Sequence, residues 1–296
     1  GHIFMTAKKK VLVTGANGLL GRITVKHLSS FYDVDALVRV MPRECINNIK
    51  YHVVDLSKDW RIKDLPKTID IIIHLAQSSE YRGFPESALH MYKVNIDSSA
   101  RLLDYARLVG VKHFIYASSG GVYGSRKGVF DESSPIINTD ELGYYLSSKF
   151  CSEILASSYS NLMQISILRI FFMYGPRQKK SMLIPRLVDC IHNNRPIMLQ
   201  GEDGICINPI HVNDACMALK SVLKMDESTV YNIAGLETFS IREIGDIIGN
   251  ILGKEPIYEH TSNLGQDLIG STSTMEKKLY TPQISLQEGI YSIING

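Results

Sequence analysis

Paired cysteines are missing from this chain. Its five, Cys45, Cys151, Cys190, Cys206 and Cys216, are scattered, with no C-x-x-C and no histidine at metal-ligand spacing. That pattern excludes a disulfide framework and predicts reduced thiols in a cytoplasm. The nine histidines form no H-E-x-x-H, so no metal is expected. An excess of one charge is also lacking. The net charge of +2 argues against a nucleic-acid surface and against an anionic membrane as partner. No apolar run approaches the ~20 residues that span a bilayer, and no secretory signal is visible. Internal repeats and low-complexity linkers are absent. Gly1 to Phe4, ahead of Met5, read as an expression remnant.

What is present is an ordinary globular composition. With 45% hydrophobic and 21% charged residues over 296 positions, the chain can form one large domain, or a core domain with a smaller annex. Lys8-Lys9-Lys10 precede Val11-Leu12-Val13-Thr14, a short apolar run typical of a buried parallel strand. Gly15-Ala16-Asn17-Gly18-Leu19-Leu20-Gly21 follows, then a helical pattern from Arg22 to about Ser29. Strand, glycine turn and helix in that order are the context of a dinucleotide fingerprint, here spaced G-x-x-G-x-x-G. The glycines permit a tight turn and close approach to a pyrophosphate at the helix N-terminus.

Further strands are expected at Val34–Arg39, Tyr51–Leu56, Asp70–Gln77 and His113–Ser119, with a sixth strand and a turn over Ile165–Pro176 and a helix containing Val94-Asn95 between the fourth and fifth strands. This alternation implies a doubly wound parallel sheet with right-handed crossovers. An acid ending the second strand would bind the adenosine ribose of NAD. The chain has Val38-Arg39 there, and an arginine pairs with a 2′-phosphate. The reading is therefore NADP(H), with Arg39 the leading contact, Arg43 a weaker one, and NAD(H) the alternative. Asp55 is placed to meet the adenine edge. His74, inside an apolar run, reads as a packed core residue. Ser78 to Pro85 form a loop that could border substrate. Met182–His192 and the stretch after Ile210 read as helices. Ser240 with Glu243 reads as a capping box.

Gly143-Tyr144-Tyr145-Leu146-Ser147-Ser148-Lys149 carries the chemistry. On a helix, Tyr145 and Lys149 share one face. A fixed ammonium beside a phenol favours the phenolate and pulls its pKa toward working range. Ser118-Ser119-Gly120-Gly121-Val122-Tyr123-Gly124 closes the fifth strand, at the edge where open α/β sheets bind ligands. Cys151 lies just beyond Lys149, and packing rather than nucleophilic chemistry is its expected role.

Together these motifs resemble the extended short-chain dehydrogenase/reductase family, in particular its NAD(P)-dependent nucleotide-sugar epimerase/dehydratase branch, from about Lys10 to the C-terminus. The landmarks are Thr14 to Gly21, Asp55, His74-Leu75-Ala76, Asn95, Ser118 to Gly124, Tyr145 with Lys149, and Arg169 to Pro176. Weaker echoes are His211 to Asp214, Ser240 to Glu243 and Ser285 to Gly289.

The resemblance implies an α/β fold: a Rossmann-type doubly wound parallel sheet with a smaller, mostly C-terminal α/β substrate-binding part. Residues 5–176 plus about 208–235 would form the dinucleotide-binding domain, and about 177–207 plus 236–296 the substrate-binding domain. It assigns catalysis to Ser119, Tyr145 and Lys149. Cofactor contacts would come from Gly15, Asn17, Gly18, Leu19, Leu20, Gly21, Arg39, Asp55, Leu56, Leu75, Ala76, Gln77, Asn95, Tyr145, Lys149 and Phe171. Substrate contacts would come from Ser78, Ser119, Gly120, Phe172 and Arg186. A cytoplasmic homodimer is expected.

Departures from the family pattern narrow the reaction. Dehydratases carry an Asp-Glu pair where this chain has Gly120-Gly121. Sugar-nucleotide members often have Asn at Phe172 and an arginine at Ile207, with a second arginine near Asn263 to Asp267. Either Arg177, Lys179, Lys180 or Arg186 holds a diphosphate in their place, or the substrate has none. The expected activity is hydride movement at a sugar carbon of a nucleotide-activated sugar, as a 4-epimerase or 4-ketoreductase. The alternatives are an NADPH-dependent reductase of a smaller ketone or aldehyde, and a non-catalytic dinucleotide-binding structural or sensor protein.

Overall fold

The computed structural model describes residues 7–296, so the expression remnant read at residues 1–4 lies outside it. Seven strands form the central sheet: β1 (Lys10–Thr14), β2 (Asp33–Val38), β3 (Ile49–Val53), β4 (Ile71–His74), β5 (His113–Ser119), β6 (Gln164–Ile170) and β7 (Thr229–Ile233). Their order is β7-β6-β5-β4-β1-β2-β3. The pairings β1 with β2, β1 with β4, β2 with β3 and β4 with β5 are parallel. The order reverses between β1 and β4, the position where a doubly wound sheet opens a crevice for ligand. Val11, Leu12, Val13, Ile72 and Ile73 are fully buried, as expected of strands covered on both faces.

Helix α1 (Leu19–Leu28) begins three residues earlier than the apolar pattern predicts. Gly21 explains the difference. It lies in the first turn and packs so tightly on the Gly15 carbonyl that a Cβ would sit 2.0 Å from that oxygen, so the helix starts within the glycine motif. Between β4 and β5 the chain forms a short helix (Ala88–Met91), a π-helical turn (Tyr92–Asp97) and helix α2 (Ser98–Val109). The sixth strand ends at Ile170, and the expected turn follows, with Phe172 at φ +42° before the short pairing at Met173–Tyr174.

Helix α3 (Gly143–Ser157) carries Tyr145 and Lys149. Its buried positions Ser148, Lys149, Ser152, Glu153 and Ala156 repeat at helical spacing. Cys151 points off that stripe and is exposed, so the packing role expected for it is not observed. Helices α4 (Leu183–His192), α5 (Val212–Val222), α6 (Ile241–Leu252) and α7 (Leu286–Asn295) follow, with a short helix at Ser273–Lys278 between the last two. Ser240 and Glu243 form the capping box expected of them, and Ser285 with Glu288 makes a second.

The described residues divide into two compact units. One holds the chain through Ser118, with Gly143–Leu168 and Leu223–Val230. Its core joins Leu12, Leu37, Ile72, Leu102, Phe114 and Ile167. The other holds Ser119–Leu142, Arg169–Val222 and Tyr231–Gly296, with one core around Ile184, Leu199, Ile207, Ile244 and Ile290 and another of Tyr123, Phe130, Phe171 and Ala234. Among the described residues no helix is long and apolar enough to cross a membrane.

Candidate active site

In the first unit, the glycine turn after β1 meets the loop after β4. Thr14 pairs with His74 at the strand ends, and its Oγ1 accepts the backbone N–H groups of Leu75 (3.0 Å) and Ala76 (3.1 Å). With its acceptor capacity used, the Thr14 hydroxyl donates to His74 Nδ1 at 2.6 Å. His74 Nε2–H then donates to Ser99 Oγ at 3.0 Å, and Ser99 donates to the Asn95 carbonyl at 2.8 Å. Burial, with Lys149 acting in the same direction, drives the His74 pKa down to about 3. A neutral ring is what this relay requires. His74 is a core residue, as its apolar surroundings in the sequence suggest.

The turn itself is built from backbone. Gly15 holds φ +62°, and a Cβ on it would stand 2.7 Å from the Ala76 nitrogen. Gly18 caps α1 in extended conformation, and no side chain caps the helix. First-turn amides have no intrahelical acceptor, so an anionic group meets both these donors and the positive end of the helix dipole. Asn17 Nδ2 donates to the Val40 carbonyl at 2.7 Å, tying the turn to the loop after β2. Leu19 is half-buried and Leu20 buried beneath the turn. This uncapped, glycine-lined helix start fits a dinucleotide pyrophosphate.

Beyond β2, Val38 is buried and Arg39 exposed. Asp55 follows β3. Burial alone would raise its pKa, but the Ser57 hydroxyl (2.6 Å) and amide (2.9 Å), then Arg39 and Lys58, hold its carboxyl below the ordinary value. Asp55 lines an open pocket with His52, Val54, Lys58 and Trp60, while Leu56 beside it is buried.

On α3, Lys149 is 2% exposed, with its Nζ 4.8 Å from the centre of the Tyr116 ring. Burial lowers its pKa to about 7, against the opposing pull of Glu153. Tyr145 is half-buried, and its hydroxyl donates to Gln77 Oε1 at 2.7 Å. Tyr81 meets the Tyr145 ring edge-on with centroids 5.9 Å apart, and Phe84 stacks on Tyr144. Burial first, then Tyr81, pushes the Tyr145 phenol above its ordinary value. The lowering expected from Lys149 is not found: the Lys149 ammonium lies over the Tyr116 ring, and desolvation favours the neutral phenol of Tyr145. Asn95 uses its whole amide: Oδ1 accepts from the Ser78 backbone at 2.8 Å, and Nδ2 donates to Ser148 Oγ at 2.9 Å. Ser148 in turn donates to the Tyr145 carbonyl. Ser78 is buried and bonds His90 Nδ1 at 2.7 Å.

The second unit holds Ser119, Gly120, Phe171, Phe172 and Arg186. Neighbouring serines at the end of β5 part company. Ser118 is buried and donates to Glu153 within the first unit. Ser119 is half-buried and accepts the Gly121 N–H at 3.1 Å. A Cβ on Gly120 would stand 2.5 Å from the Phe171 ring. Phe171 is 1% exposed and packs beside Tyr123, so its ring belongs to a core and only its backbone remains for a cofactor. Phe172 is half-buried, at the strained φ already noted. Arg177, Lys179, Lys180 and Arg186 are all exposed. Ile207 is fully buried, and Asp267 accepts the Cys206 N–H at 2.8 Å.

Sequence reading missed the bond from Tyr145 to Gln77, the approach of Tyr81, and Glu153. Glu153 had a signal, since it lies one helical turn beyond Lys149 on the buried stripe. The contacts to Gln77 and Tyr81 depend on how a loop folds back, which no spacing rule encodes. Among the described residues, no three His, Cys, Asp or Glu side chains stand together as a metal site.

Residues 11–234 match the NAD dependent epimerase/dehydratase family. The chain belongs to that family. It is 26% identical over 307 residues to a UDP-glucuronate 4-epimerase of Thermodesulfobacterium geofontis, covering 96% of this chain and 94% of the relative. A solved UDP-glucuronic acid 4-epimerase of Bacillus cereus, in complex with UDP-glucuronic acid and NAD, superposes with TM-score 0.86 at 24% identity, covering 97% of this chain and 98% of that one. MoeE5, solved with UDP-glucuronic acid and NAD, gives TM-score 0.83 at 26% identity with the same coverage. Members of this family are NAD-dependent enzymes of the extended short-chain dehydrogenase/reductase type, and a nicotinamide dinucleotide is the cofactor class.

Proposed function

We propose that this protein is a 4-epimerase of a UDP-activated sugar. The bond from Tyr145 to Gln77 is the observation that carries the reading. It sets the phenol against the loop after β4, whose amides are themselves tied to Thr14 at the glycine turn. An acid-base group thus stands beside a phosphate-binding helix start, within one unit. A relative named as a UDP-glucuronate 4-epimerase, and MoeE5 solved with UDP-glucuronic acid, support the substrate class.

When bound, the nicotinamide dinucleotide supplies the hydride acceptor and donor. Its pyrophosphate would be held by the amides of Leu19 and Leu20 at the start of α1, and its adenosine by Asp55. Arg39 supports a 2′-phosphate, whereas the solved relatives named above carry NAD. Titrating each form into the parent protein and Arg39→Glu decides between them. Tyr145 removes and returns the proton of the sugar hydroxyl. Ser119 orients that oxygen. Lys149, with a pKa near neutrality, adjusts the charge beside the phenol. Dehydration is disfavoured because Gly120-Gly121 offer no carboxylate. Residues 177–207 and 236–296 are assigned to substrate, and the assembly to a cytoplasmic homodimer.

Replacing Tyr145 with Phe is expected to cut turnover by about 10²–10⁴-fold while calorimetry shows dinucleotide affinity nearly unchanged. Full activity in that variant would remove Tyr145 from the acid-base role. Titrating the cofactor-loaded protein with UDP, dTDP, GDP and CDP then tests the substrate class. If none binds, the reading passes to a reductase of a smaller carbonyl compound, which the missing arginine at Ile207 favours.

A further inference from the structure

The Tyr145 hydroxyl makes its bond to a side chain that can reverse its own polarity. A carboxamide offers an acceptor at Oε1 and donors at Nε2, and half a turn of the amide exchanges them. Gln77 presents Oε1, so the phenol is the donor and its hydrogen is committed to the amide. Gln77 is exposed, so the exchange needs no repacking of the core. Its backbone position is fixed on both sides. The Ala76 N–H is bound to Thr14 Oγ1, and the Ser78 N–H to Asn95 Oδ1.

The other groups facing Tyr145 do not substitute for this contact. Tyr81 approaches from the same loop with its ring edge. Tyr116, on β5, is buried, and burial raises its own pKa strongly. Lys149 lies one helical turn along α3 with its Nζ over the Tyr116 ring. Glu153, one turn further, is buried beside Lys149 and Ser118.

We infer that Gln77 is a positioning residue for Tyr145: its amide oxygen accepts the phenolic hydrogen and holds the ring neutral until the amide turns. A hydrogen bond to the neutral form disfavours ionisation, and one donated to the oxyanion favours it. The turned amide, with Nε2–H toward the phenolate, therefore supports the base that takes the sugar proton. Once its hydrogen is released from Gln77, the O–H bond of Tyr145 breaks, the electron pair stays on the phenolate oxygen and the proton passes to solvent water, which reaches this exposed contact. This role rests on the epimerase reading given above, in which Tyr145 must be a phenolate before it can act as a base.

The test introduces difluorotyrosine at position 145, whose phenol ionises near neutral pH, and follows its titration by fluorine NMR in the cofactor-free protein. Three side chains at position 77 are compared: the parent, Gln77→Met and Gln77→Glu. Methionine keeps the length and removes both acceptor and donor, while glutamate keeps an acceptor, removes the donor and adds negative charge. On titration the parent amide turns and donates Nε2–H to the phenolate, so the expected order of apparent pKa is Gln below Met below Glu, with Met higher than the parent by about half to one unit. A pKa in Gln77→Met equal to or below the parent's overturns the inference. No substrate or turnover enters this measurement, so its failure leaves the epimerase reading standing. Full activity of Tyr145→Phe would remove that reading without touching the pKa order. A merely structural role for Gln77 would shift thermal stability but would not raise the phenol pKa in this order.

Discussion

The glycine turn in the first unit and the 169–186 segment in the second are both proposed to meet a phosphorylated ligand, and they offer it different groups. The turn does so with backbone: Gly15, Gly18 and Gly21 have no side chain to offer, and two of them sit against neighbouring backbone at distances no Cβ tolerates. The 169–186 segment exposes Arg177, Lys179, Lys180 and Arg186 instead. Backbone recognition is rigid and costly to alter, because its donors are fixed by the fold. Side-chain recognition is adjustable, because a flexible cation pays rotamer entropy and is screened by salt. The contrast suits an enzyme with an invariant cofactor and a variable substrate.

The sharpest way to test the first half of this contrast is to titrate the network beneath the turn. An unfolded histidine takes a proton below its ordinary value of 6.5, whereas folded His74 takes one only near 3. In that window the unfolded state binds the extra proton, so stability falls as pH drops from 6.5 toward 3. The loss is expected to reach about 4 kcal/mol. His74→Gln, which cannot titrate, should flatten that slope in urea unfolding measured across the window. An unchanged slope would place the acid sensitivity elsewhere.

Next in size is Gly15→Val. The combination of φ +62° and contact with Ala76 backbone should cost about 3 kcal/mol. Dinucleotide affinity should fall roughly a hundredfold, read by calorimetry, with a lower melting temperature. Affinity within a few-fold of the parent would show that the turn is more pliable than its packing implies. The smallest effect belongs to the second half of the contrast. Arg177→Ala combined with Arg186→Ala should raise KM for the nucleotide sugar by about three- to tenfold, with kcat nearly unchanged. A hundredfold rise would mean that these side chains are as rigidly organised as the turn.

The same contrast marks how far the sequence could be read. Thr14 to Gly21 announces itself because a strand, a glycine turn and a helix are local, and their geometry follows from residue type. Tyr145 with Lys149, and Ser240 with Glu243, are legible for the same reason, since helical spacing and capping act within one or two turns. His74 could be placed in the core from its apolar neighbours, yet its partners Thr14 and Ser99 come from distant elements. Gln77 shows the limit most clearly. Its position could be carried over from family resemblance, but its bond to a residue 68 positions away depends on the course of the 75–85 loop. The direction of the Tyr145 shift was likewise unreadable, because burial, which decides it, is a property of the folded chain.

The aromatic cluster around Phe171 also constrains how this protein can change over generations. An acid at position 120, of the kind that dehydratases carry there, has no space while the Phe171 ring stands 2.5 Å from where its Cβ would be. Shrinking Phe171 first would unstack Tyr123 and open a cavity, at a cost of about 3–5 kcal/mol for a change to alanine. That is a large share of the stability of an ordinary domain. Either order of substitution passes through a damaged intermediate. An acid at position 120 is thus reached from this chain only through a destabilised intermediate, and the residue that imposes this is a packed ring of the core.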